Sequence, residues 1–163
     1  MAVITIETDG KKALAEELAI LQERIVENIH RADKYVTGKM AGSIRQEVSG
    51  SGSEVSGSLT AAPFFAVLET GSRPWRKQYI HPPRLFRETI REWISIRGLD
   101  LSPYLVARKI MRKGSKLYRE GGREDIFTVE IPIFAEKLTR RLSGIATAEI
   151  EAPIMRLEQK IEG

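Results

Sequence analysis

The sequence predicts an α+β fold: a small antiparallel sheet packed against a long N-terminal helix, with additional helices in the C-terminal half. Three observations carry this. Apolar residues recur every three or four positions from Lys11 to Val36, two alternating stretches flank Gly50-Ser51-Gly52-Ser53, and helix start and stop residues follow in order through the second half.

Ala2–Glu7 is short and β-branched, which predicts a strand, with Thr8-Asp9-Gly10 stopping it and offering a cap to the helix beyond. In that helix Leu14, Leu18, Leu21, Ile25, Ile29, Ala32 and Val36 form one stripe, and His30 lies at its boundary. Thr37-Gly38-Lys39 ends it. No phosphate-binding loop follows, because a helix precedes the tripeptide and Met40 stands after the lysine. Ile44–Ser49 and Glu54–Thr60 read as the strands of a hairpin, favoured over a flexible Gly/Ser linker because four residues are too few to separate domains.

Pro63–Glu69 is the most apolar stretch and is expected in the core, as strand or helix. The loop from Thr70 to His81 spends Arg73, Trp75, Arg76, Lys77 and Tyr79, side chains typical of a partner-docking element; the plain alternative folds Trp75 back on the core. Pro82-Pro83 opens a helix whose inner face is Phe86, Ile90, Trp93 and Ile94, and Gly98 ends it. Ser102-Pro103 starts another, with Leu105, Val106, Ile110 and Met111 inward and Arg108, Lys109, Arg112 and Lys113 outward; Gly114 closes it. From Asp125 the chain reads as mostly helical, interrupted at Gly144 and Pro153, with Ile126–Ile133 open to a strand reading.

The 163 residues are expected to form a single domain, 1–163, with a helical C-terminal part over about 124–163. There is no cysteine, which excludes a disulfide scaffold, a thiol nucleophile and a Cys-ligated metal; His30 and His81 are the only histidines. Neither histidine has a motif placing a partner beside it, and the paired glutamates lie at ion-pairing spacing among cations. The expectation is therefore a protein with no cofactor, no metal site and no enzymatic activity. The remaining catalytic reading is a hydrolase centred on Glu69 and His81. No apolar run reaches membrane-span length and no signal segment is visible, so a soluble product of the cytoplasm is expected.

Charge is uneven. Of 26 Lys+Arg, 14 lie between Arg73 and Arg123, against 4 of the 22 Asp+Glu, which leaves 12 basic and 18 acidic residues elsewhere. Such a division suits a polyanion partner or copies arranged charge to charge, unless the cations simply solvate helix faces.

Four segments in order resemble the tail-completion, or head–tail joining, proteins of tailed bacteriophages. They are Thr37-Gly38-Lys39-Met40-Ala41-Gly42-Ser43-Ile44, then Phe65-Ala66-Val67-Leu68-Glu69-Thr70-Gly71-Ser72-Arg73-Pro74, then Ile80-His81-Pro82-Pro83 before a helix. The fourth runs from Glu92-Trp93-Ile94 through Arg97-Gly98-Leu99 and Ala107-Arg108-Lys109-Ile110 to Gly114-Ser115. Together they cover about residues 35–116. Phe65 replaces the family's usual Tyr, and the C-terminal region is longer and less regular.

The resemblance implies a structural virion protein, made in the bacterial host cytoplasm, that completes the tail or joins head to tail as a ring at the neck. A hexamer is favoured over a dodecamer, in contact with neck, portal-adaptor or tail-tube proteins and with no membrane. Arg108, Lys109, Arg112 and Lys113 would then face either an acidic neighbour or channel DNA. Glu69, at the Gly71 turn, is expected to pair with a cation or cap that turn's amides. The alternative function is non-specific nucleic-acid binding through residues 73–123.

Overall fold

A computed structural model describes residues 6–32, 38–51, 54–76 and 80–161, with side chains for all of these except 6, 7, 51, 149, 150 and 152–161. The fold is α+β, with a long N-terminal helix, one two-stranded antiparallel sheet and several C-terminal helices. The elements are α1 (Ile6–Arg31), a 3-10 turn (Ala41–Ser43), β1 (Arg45–Ser51), β2 (Glu54–Thr60), α2 (Val67–Thr70), α3 (Arg84–Ile96), α4 (Pro103–Lys113), α5 (Lys116–Arg119) and α6 (Glu130–Ile161). No helix among the described residues is long and apolar enough to cross a membrane.

The chain divides into two compact units: 1–27 with 43–61 and 128–163, and 28–42 with 62–127. In the first, Leu14, Leu18, Leu21 and Ile25 are buried along one face of α1, as the periodicity predicts. The hairpin lies on that face. Its register pairs Arg45 with Thr60 and Ser51 with Glu54, and Gly57 comes so near α1 that a methyl group there would lie 2.8 Å from Leu14 and 2.9 Å from Leu18. Gly57 is therefore glycine for clearance.

The helix α6 runs beside α1, the two lining a narrow groove with Glu17, Ile20, Leu21, Arg24, Glu130, Ile133, Phe134 and Lys137. Arg24 Nη1 meets Glu130 Oε2 at 3.3 Å. Arg141 Nη1 lies 3.0 Å from Glu17 Oε1, and its Nη2 donates to Glu16 Oε2. Pairing of Glu16 and Glu17 with cations is what their spacing suggested.

Several expectations are corrected. Ile6 and Glu7 are helical, so α1 runs straight through Thr8-Asp9-Gly10; the rest of the expected strand lies outside the described residues. Gly10 is not required by crowding, since a methyl group there would meet Val55 and Leu142 only at ordinary contact distance, and its weak helix propensity does not break α1. The helix ends at Arg31, earlier than the stripe suggested, with 33–37 outside the described residues. At the other end Ile126–Val129 forms turns, neither strand nor helix, and α6 starts at Glu130 and continues past Gly144 and Pro153.

The Arg141 hydrogen bond, ahead of its charge attraction, holds the Glu16 carboxyl below its ordinary value of 4.5. A carboxylate depressed in the folded state contributes stability above its unfolded pKa and loses it as the pH falls through the folded one. Thermal melts should therefore show Arg141→Gln less stable than the parent near about pH 7, the gap closing below about pH 4 as Glu16 takes up its proton. A gap of constant size across that range would contradict the assignment.

Candidate functional site

The second unit is assembled around one carboxylate. The helix α2 is a single turn that places Glu69 inward, 3% exposed, while Phe64 just before it is 72% exposed. Contrary to expectation the apolar run Pro63–Leu68 is not fully buried, with Pro63, Phe64 and Ala66 exposed and Phe65, Val67 and Leu68 half-buried; its charged end is what the fold buries most. Glu69 Oε1 accepts from the backbone N–H of Ile126 at 2.8 Å and of Phe127 at 2.7 Å. Asn28 Nδ2 donates to the Ile126 carbonyl at 3.0 Å, so that peptide is held from both sides, and the Ile126 side chain is 0% exposed.

Three further contacts complete the node. The Arg123 N–H donates to the Glu69 carbonyl at 2.9 Å, and the rings of Phe65 and Phe127 meet with centroids 5.6 Å apart. A methyl group on Gly122 would lie 2.9 Å from the Glu69 carbonyl oxygen, which explains a glycine where the chains come so close. Glu69 therefore caps backbone amides, those of Ile126 and Phe127, and its charge also favours the Arg123 cation. Nearby, Arg123 grips both oxygens of Asp125, and that hydrogen bond holds the Asp125 carboxyl below its ordinary value and the Arg123 guanidinium above its own.

Gly71 ends α2 at φ +69°. Its open side is filled by Ser115 and the Tyr118 backbone. Ser72 and Ser115 then clasp two distant segments: Ser115 N–H donates to the Ser72 carbonyl at 2.8 Å, and Ser72 N–H donates to Ser115 Oγ at 3.0 Å. Next along, the Trp75 N–H donates to the Met111 carbonyl at 2.9 Å, and the Trp75 ring packs on Phe86 at 5.1 Å. Trp75 is half-buried in that contact, whereas Arg73 and Arg76 are exposed; Lys77 and Tyr79 lie outside the described residues.

The clasp anchors the end of α4. Ser102 Oγ accepts from the Leu105 N–H, Pro103 occupies the first turn, and Gly114 closes the helix at φ +77°. Ala107 and Met111 are buried, and Ala107 packs with Ile90 and Ile94 of α3, flanked by Phe86, Val106 and Ile110. Two expected inner residues are not inside: Trp93 is 36% exposed and Leu105 61%. Leu105 lies two residues before Ala107, about 200° round the helix, which puts it on the opposite face.

That opposite face is the candidate site. Leu105, Arg108, Lys109, Arg112 and Lys113, at spacings i, i+3, i+4, i+7 and i+8, line an open groove of about 300 Å³. The sequence groups the same four cations. Among the described residues none of them has a carboxylate partner, and the Arg108 Nε is buried with no hydrogen bond, as is that of Arg87 on α3. Some cations elsewhere are matched, Arg84 with Glu88, Lys116 with Glu120, Arg140 with Glu136 and Lys39 with Glu92, whereas Arg87 and Arg91 of α3 and Arg119 of α5 have no carboxylate partner among the described residues. Like charges at i, i+4 cost about 0.2–0.5 kcal/mol a pair, and α4 carries two such pairs, 108/112 and 109/113. Arg112 and Lys113 recover part of this at the negative end of the helix dipole.

His81 Nδ1 and the Tyr104 hydroxyl are hydrogen-bonded at 2.9 Å in an exposed setting. Among the described residues no cluster of three or more His, Asp or Glu side chains could hold a metal ion. No family model, curated protein or solved structure matches the chain.

Sequence reasoning missed Asn28, Ser72 and Ile126. The signal for Asn28 was a polar residue beside Ile25 and Ile29 on the apolar face of α1; nothing marked Ile126 as the peptide it would hold.

Two outcomes test this construction. Glu69→Ala leaves two buried N–H groups without their acceptor and should cost about 2–4 kcal/mol in urea unfolding, against about 1 kcal/mol for Glu69→Gln, which keeps an acceptor oxygen. Equal, negligible losses would contradict the node. Gly71→Ala should cost about 2 kcal/mol or more, since its site is filled as well as left-handed. Gly98→Ala, at φ +59° with nothing within 4 Å, should cost only about 1 kcal/mol.

Proposed function

We propose that this chain is a structural protein of a tailed-phage or prophage virion, completing the tail or joining head to tail as a ring at the neck. It works by self-assembly and docking, with no bond made or broken. The observation that carries the reading is the ordered set of family-like segments across residues 35–116. Two of them, 65–74 and 107–115, are stitched together by the Ser72–Ser115 clasp, so they act as parts of one construction. The chemistry of Glu69 supports a non-catalytic role: its carboxylate is engaged by backbone amides.

Self-association follows from the division of charge. A chain with a basic segment and an acidic remainder makes heterologous contacts with copies of itself, and these close into a ring when the rotation permits. A hexamer is favoured over a dodecamer. The loop carrying Arg73, Trp75, Arg76, Lys77 and Tyr79 is the docking element toward flanking neck, portal-adaptor or tail-tube proteins. The competing reading, a free-standing non-specific nucleic-acid-binding protein, has one observation in its favour, the unmatched cations of α4.

Mass photometry across a concentration series tests the choice. The proposal expects a closed species near six copies of 18.4 kDa, about 110 kDa, alone or once a neck partner is added. A chain that remains monomeric at every concentration and with every capsid or tail component would contradict it.

A further inference from the structure

We infer that the outward stripe of α4 is a binding site for the phosphate backbone of double-stranded DNA, read without regard to base sequence. This rests on the assembly reading, which leaves the stripe facing either an acidic neighbour or DNA.

The stripe offers four cations and one apolar side chain, Leu105. An acidic protein surface would be steered and oriented by such charge, but would gain little affinity at this stripe, because exposed ion pairs contribute weakly one by one and a single leucine provides no apolar seam. A polyelectrolyte gains from any such stripe, since each neutralised phosphate releases condensed counterions. Arg108 to Lys113 spans about 7.5 Å of helix axis, which lets neighbouring cations reach successive phosphates of one strand.

Two details of the structure agree. The four cations have no carboxylate among the described residues to displace before an anion can bind. The Arg108 Nε is buried and unsatisfied while the residue lines the groove, which leaves a guanidinium donor over at this face. Phosphate contacts of this kind position a duplex and carry no sequence information.

The test is fluorescence anisotropy of the full chain with a labelled random-sequence duplex at several salt concentrations, alongside mass photometry without DNA. Four phosphate contacts give a slope of log affinity against log salt near about −3.6, roughly a 150-fold loss between 50 and 200 mM. Arg112→Gln/Lys113→Gln, both at exposed positions, should make that slope shallower by about 1.8. Lys12→Gln/Lys137→Gln, which removes the same charge from exposed sites on α1 and α6, should leave it within about 0.5.

An equal change in both variants overturns the site, as does DNA binding unaltered in the α4 variant. An α4 variant that keeps its DNA slope but fails to form rings assigns the stripe to a neighbouring subunit and likewise overturns the proposal. Rings that persist in an α4 variant with a reduced slope support it. Failure of every variant and the parent to form rings, with the slope behaving as expected, defeats the assembly reading and leaves the DNA site standing.

Discussion

One buried carboxylate organises the second unit. The Glu69 side chain sits at the end of a single helical turn too short to be stable alone, and it satisfies two N–H groups of a segment more than fifty residues away. A carboxylate inside a protein is costly unless its lone pairs are met, and amide donors meet them with charge-assisted hydrogen bonds. Ile126 is then fixed from its other side by Asn28, and Arg123 returns to the Glu69 carbonyl. The irregular chain around residues 122–127 has no ladder or helix to hold it, so this node is its secondary structure in effect.

What the node and the Ser72–Ser115 clasp hold in place is α4. Its inner face is ordinary helix packing through Ala107 and Met111; its outer face concentrates like charge that folding alone does not require. Local pairing at i, i+4 neutralises Arg84 on α3, Lys116 on α5 and Arg140 on α6, a device that α4 does not use. A helix that forgoes it carries uncompensated like charge on one face. The basic segment noticed in the sequence is spread over several elements, and four of its cations without a carboxylate partner among the described residues share one face of α4.

Much of this was legible from residue types. Ser102-Pro103 with Gly114 marked both ends of α4, and the leucine stripe of α1 identified the buried side of that helix, because capping and periodicity are local and the structure respects them. The hairpin followed from Gly/Ser punctuation in the same way. Where expectation and structure part, long-range contacts decide. Ile6 and Glu7 favour a strand by propensity but continue a helix; the apolar run before Glu69 is only half-buried, with Phe64 exposed, while the glutamate goes in. The role of Glu69 as an amide cap was foreseeable, since a carboxylate in apolar surroundings needs donors. Its actual donors were not, because nothing local links residue 69 to residues 126 and 127. The four cations of the candidate site were visible as a spacing; that they lack acidic partners among the described residues was visible only in three dimensions.

The account stands on Glu69 acting as the internal acceptor that fixes the second unit. Native-state hydrogen exchange of the Ile126 and Phe127 amides measures this most directly. Both should exchange as slowly as the buried amides of α3 and α4, opening with them in one cooperative step. Fast exchange at these two positions while α3 and α4 stay protected would contradict the claim.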